Sequence, residues 1–161
     1  MVRSRPVSAA AACLAAVLAG ALAVAEHHED HSQSGKWFDP ANCVMCKPMA
    51  DKPELMHAIK WETHKLDNGA VMTAVAPKGM QDEFDAVCQK MHSKQPQPGD
   101  KLCGFCQAFG KLMREGAKVQ EVDTDFGNLT LVTADDDATV EKIHEFAQRT
   151  IEETKKMEGE D

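Results

Sequence analysis

The sequence predicts an α+β fold: an αββα unit present twice, the two copies sharing a four-stranded antiparallel sheet with helices packed on one face. Three observations carry this. A Cys-x-x-Cys pair occurs twice, as Cys43/Cys46 in "CVMCKPM" and Cys103/Cys106 in "CGFCQAF", 60 positions apart. Each pair is followed by two strand-like runs around a turn containing Asn and Gly. Each hairpin is followed by apolar residues at helical spacing. At the 60-residue offset Asn68 meets Asn128 and Thr73-Ala74 meets Thr133-Ala134, and apolar positions between them also match. Similarity at a fixed spacing speaks for an internal duplication. One copy would bury too little to stand alone, so both repeats are expected to form one domain.

The elements follow in order. Residues 1–25 read as a cleaved signal peptide: Arg3 and Arg5, then an Ala/Leu/Val run, then Ala23-Val24-Ala25 as a small-x-small cleavage site. Residues 26–42 read as a polar, His-containing leader without fixed structure. Repeat 1 spans 43–92. There Asn42 is expected to cap a short helix opening on Cys43 and ending at Pro53. "HAIKWETHKL" and "AVMTAVA" then flank Asp67-Asn68-Gly69, an Asn-Gly hairpin signal. Phe84, Val87, Cys88 and Met91 follow i, i+3, i+4, i+7 on a second helix. Residues 93–102, rich in Pro and Gly, form the linker. Repeat 2 spans 103–158. Its first helix aligns Cys106, Phe109 and Met113, and Gly116 stops it. "KVQEVDTD" and "LTLVTA" make the second hairpin, and Asp135 to Asp137 cap a long helix striped by Val140, Ile143, His144, Ala147 and Ile151.

Charge and composition exclude several function classes. The formal charge of −8 becomes −10 once Arg3 and Arg5 leave with the signal. An acidic chain with two Trp and no Tyr lacks the basic patches and stacking aromatics of a nucleic-acid binder. No second apolar run approaches the roughly 20 residues of a membrane span, so none is expected after cleavage. No nucleophile elbow, phosphate loop or HExxH motif is present. The expected location is periplasmic or secreted, where free thiols become disulfides unless something ligates them.

Five cysteines remain after processing, and an odd number leaves at least one outside any internal pairing. The two Cys-x-x-Cys pairs fit three chemistries. Together they supply the four sulfurs that a tetrahedral Zn²⁺ takes, and soft sulfur also suits Cu⁺. Either pair could exchange disulfides as an oxidoreductase, the one enzymatic activity the sequence admits. Both could be structural staples in a domain that binds an exported protein partner. Paired metal-binding Cys-x-x-Cys motifs usually sit about 15–20 residues apart; here a whole repeat separates them, so the fold must bring them together. Cys88 and His92 share a helix face at i, i+4, and His144 matches Cys88 in the second copy; all three are further candidate ligands. If cleavage follows Ala25, the chain begins Glu26-His27-His28, whose free amine and third-position histidine suit Cu²⁺ or Ni²⁺, with His31 nearby.

Over seven residues each, the two pairs resemble the active-site turns of thioredoxin-like proteins, the second those of periplasmic disulfide isomerases. That resemblance would imply a redox role for the four cysteines. The segments before them, "SGKWFDPAN" and "PQPGDKL", lack the apolar strand of that pattern, so no family is assigned. The function expected from the residues is an exported metal-binding protein for Zn or Cu, acting as carrier, buffer or sensor, with a thiol–disulfide oxidoreductase and a partner-binding domain with structural disulfides as the alternatives.

Overall fold

Seven-residue strands form on both sides of the two glycine-bearing turns, in a computed structural model that describes residues 36–159. The first hairpin is β1 (Lys60–Leu66) with β2 (Gly69–Val75), and the second is β3 (Lys118–Thr124) with β4 (Gly127–Thr133). The hairpins join through their later strands, giving the order β1-β2-β4-β3, antiparallel throughout. The pleat puts Ala70, Met72 and Ala74 on the same face as Asn128, Thr130 and Val132. Ala70, Ala74 and Val132 are buried there, and their small size lets helices lie close to the sheet.

Helices cover that face. α1 (Lys47–Ala50) and α2 (Pro53–Ala58) precede the first hairpin, and α3 (Gln81–His92) follows it. α4 (Gly104–Arg114) precedes the second hairpin, and α5 (Asp137–Glu158) follows it. α5 packs across β1, β2 and β4, while α3 packs on α1 and β4. Two apolar clusters result. Met49, Leu55, Ile59, Ala74, Ala76, Phe84 and Val87 form one. Trp37, Ala70, Leu112, Val132, Ile143, Phe146 and Ala147 centre the other. Among the described residues no helix is long and apolar enough to cross a membrane.

The structure corrects several local expectations. An Asn-Gly turn of the type expected needs positive φ at both loop residues. Among the described residues no non-glycine has positive φ. The loops are Asp67-Asn68 and Asp125-Phe126, and Gly69 and Gly127 already sit in the strands, paired with Leu66 and Thr124. These glycines are demanded by neighbours across the sheet. A Cβ on Gly69 would lie 2.0 Å from the Val132 carbonyl oxygen, and one on Gly127 would lie 1.9 Å from that of Ala74. The hairpins therefore correspond at an offset of 58, Gly69 with Gly127, and Asn68 corresponds to Phe126 instead of Asn128. Matching backbone bonds obey the same offset: Ala76 N–H to the Phe126 carbonyl, and Ala134 N–H to the Asn68 carbonyl.

Pro53 starts a helix where the sequence predicted an end, since its fixed φ suits the first helical position. Asn42 caps no helix; its side chain donates to the Asp39 carboxylate at 3.0 and 3.1 Å. Met113 is 47% exposed, and Leu112 takes the buried place on α4. Within the segment read as a polar leader, Trp37 is buried in the core. The Asp136 cap stands as expected, its carboxylate accepting the Thr139 N–H at 2.9 Å.

Candidate metal centre

Local backbone geometry presents each cysteine pair. Cys43 opens a turn: its carbonyl accepts the N–H groups of Cys46 and Lys47 at 3.1 and 2.9 Å, and Cys46 then stands at the N-cap of the four-residue α1. The second pair is set differently. Cys103 is the extended N-cap residue of the eleven-residue α4, and Cys106 falls in its first turn. Only the second pair thus opens a helix of substantial length.

Main-chain bonds hold the two segments together. The Val44 N–H donates to the Lys101 carbonyl at 3.0 Å, tying the first turn to the strand-like approach of the second. Two amides at the start of α4 are taken up by the chain before Cys43: Gly104 N–H bonds the Lys36 carbonyl, and Phe105 N–H bonds that of Trp37. The Trp37 side chain packs so closely on α4 that a Cβ on Gly104 would meet its ring at 3.2 Å. Phe38, Phe105 and Phe146 pack against that indole, Phe109 extends the cluster through Phe105 and Phe146, and Arg149 stacks over the indole at 4.3 Å. No periodicity marks this clamp, because Trp37 and Phe38 stand together in an otherwise polar stretch with no apolar residues at helix or strand spacing around them.

The result is a group of four sulfurs. The Sγ atoms of Cys43, Cys46, Cys103 and Cys106 all lie within 4.8 Å of one another. Cys46 Sγ reaches across to the other pair, 3.4 Å from Cys106 Sγ and 3.9 Å from Cys103 Sγ. A tetrahedral ion bound at about 2.3 Å to each sulfur holds its ligands roughly 3.8 Å apart, so the group fits a single ion. Cys43 and Cys103 are buried, and Cys46 and Cys106 are half-buried. All four are free thiols.

Crowded sulfurs share their charge unequally. The Cys106 and Cys46 thiols donate toward Cys103 Sγ, as does the Cys106 backbone N–H, and these bonds lower the Cys103 pKa strongly. Cys46 is pushed far up by its bonds to Cys103 and Cys106, then by burial. Cys106 is also pushed up, first by Cys103. Cys46, Cys103 and Cys106 titrate together: a thiolate at Cys103 keeps the other two protonated, because like charges this close repel. A cation in their midst would replace those protons and relieve the repulsion.

The other candidate ligands stand apart from this group. The His144 Nε2–H donates to the Leu66 carbonyl at 2.8 Å, which ties the middle of α5 to the end of β1. His92, exposed at the end of α3, pairs with Glu121 at 3.2 Å. Cys88 packs against the Phe84 and Val87 cluster, and burial raises its pKa to about 11. Glu26, His27, His28 and His31, like the signal segment, lie outside the described residues. Comparison with protein-family models, with curated proteins and with solved structures gives no match, so the chemistry rests on the geometry of the site.

Proposed function

We propose that this chain is a small exported metal-binding protein whose Cys43, Cys46, Cys103 and Cys106 hold one Zn²⁺ or Cu⁺ ion, serving as carrier, buffer or sensor. One observation carries the reading: four sulfurs from segments far apart in sequence converge within 4.8 Å. Two local disulfide staples would gain nothing from such convergence. Four sulfur ligands fill a tetrahedron and leave no open position for substrate, which favours holding an ion over metal-assisted catalysis. Four sulfurs at these spacings suit Zn²⁺ best; Cu⁺ shares the preference for soft ligands. The sequence-based export assignment adds a reason for an ion, since ligated thiolates are shielded from an oxidising compartment.

The test is direct. The reduced protein, titrated with Zn²⁺, Cu⁺ or Co²⁺ under anaerobic conditions, should take up one ion per chain by native mass spectrometry. Co²⁺ should show thiolate charge-transfer and tetrahedral visible bands. Cys43→Ser or Cys103→Ser should abolish tight uptake, and Cys88→Ser should leave it unchanged. A protein that binds no ion but catalyses disulfide exchange, with turnover lost in Cys103→Ser, would replace this reading with the redox one.

A further inference from the structure

The four sulfurs differ in access, and the difference is ordered. In each Cys-x-x-Cys pair the first cysteine is buried, Cys43 at 1% and Cys103 at 4% exposure, and the second, Cys46 or Cys106, is half-buried. Each buried member is fixed by backbone. The Cys43 carbonyl opens its turn by accepting from two amides, and the next two residues after Cys103, Gly104 and Phe105, bond the Lys36 and Trp37 carbonyls. The two half-buried sulfurs are also neighbours, at 3.4 Å. The group therefore has a closed floor, Cys43 and Cys103, and one accessible edge, Cys46 and Cys106.

We infer that the ion leaves and enters by ligand exchange at the Cys46/Cys106 edge, and that the acceptor is a thiol-bearing molecule or protein able to reach that edge. This deepens the metal-binding reading and rests on it. An incoming thiolate, its proton released to solvent, forms a sulfur–metal bond as the bond to Cys46 or Cys106 breaks. The freed cysteine sulfur takes a proton from solvent. A second exchange frees the other edge ligand, and the floor sulfurs are released last. No electron moves, and the oxidation state of the ion is unchanged. A site that must first lose its ion to water would gain nothing from two accessible sulfurs side by side. Direct attack by another thiol uses both.

The full chain is loaded with Co²⁺ and challenged with glutathione over a wide concentration range, following the decay of the thiolate–cobalt band. Exchange at the edge makes the rate first order in glutathione, so tenfold more thiol should give about tenfold faster loss, because the thiolate is the attacking ligand. In parallel, the loaded protein is treated briefly with iodoacetamide and its cysteines are mapped by mass spectrometry. Cys46 and Cys106 should be modified well before Cys43 and Cys103. A loss rate that ignores glutathione concentration, or floor sulfurs modified as early as edge sulfurs, overturns this inference while leaving metal binding intact. Failure to form the cobalt complex at all is seen before glutathione is added, and it overturns the metal-binding reading instead.

Discussion

Gly69 and Gly127 occupy positions in the sheet where a side chain does not fit. Both stand beside hairpin turns, yet neither is a loop residue; each lies against a carbonyl of the opposing inner strand. Backbone contact at about 2 Å from a Cβ position leaves no room for a methyl group. Gly69→Ala and Gly127→Ala should each cost about 1–3 kcal/mol or more, the range of an overpacked site, measured by urea denaturation. Cys88, a candidate ligand from its spacing, packs as an apolar filler against the Phe84 and Val87 cluster. Burial, with smaller contributions from Asp85, Glu121 and Asp123, raises its pKa to about 11. The thiolate is the reactive form and is populated only as pH rises toward that value. In a Cys43, Cys46, Cys103, Cys106→Ser variant, Cys88 alkylation should be slow at pH 7 and climb about tenfold per pH unit up to about pH 10.

Among the elements, the hairpins and the long helix follow from sequence pattern, and the first helices do not. The strand-like runs flanking the two turns marked the inner strands, whose Ala70, Ala74 and Val132 are buried. The α5 stripe reported Ile143 and Ala147 at period 3.6. α4 is misread by one position: Leu112 is buried and Met113 is 47% exposed, since Trp37 and α5 decide which side of α4 faces inward. Leu112→Ala should therefore cost about 2–5 kcal/mol, while Met113→Ala should stay within about 0.5 kcal/mol, both read from chemical denaturation midpoints. The first cysteine pair leads into two short helices where the second leads into one. Pro53 cannot donate a backbone hydrogen bond and so begins a new helix. That break accounts for the two-residue difference between the cysteine offset of 60 and the hairpin offset of 58.

At the level of the whole molecule, the sulfur group ties the segment before the first hairpin to the start of α4. Those segments meet through few main-chain bonds: Val44 to Lys101, Gly104 to Lys36, and Phe105 to Trp37. An ion held by both pairs stabilises the folded state by mass action, about 2.7 kcal/mol at a free concentration one hundred times the Kd. Chelation should lower the melting temperature accordingly. Protons compete with metal for sulfur, so the stabilisation should be present at neutral pH and fade on acidification. Melting curves with and without chelator should then converge at low pH, as differential scanning fluorimetry would show.

The sequence by itself determined the fold class, the hairpins, the long capped helix and the four cysteines as the residues of interest. All of these are local signals: burial period, turn composition, capping and a short spacing. Only the tertiary structure decided that the two pairs meet, that His144 is spent on the Leu66 carbonyl, and that Trp37 closes over α4. Those facts depend on contacts between segments tens of residues apart, set by how helices settle on a shared sheet. No periodicity along the chain encodes a distance between such segments.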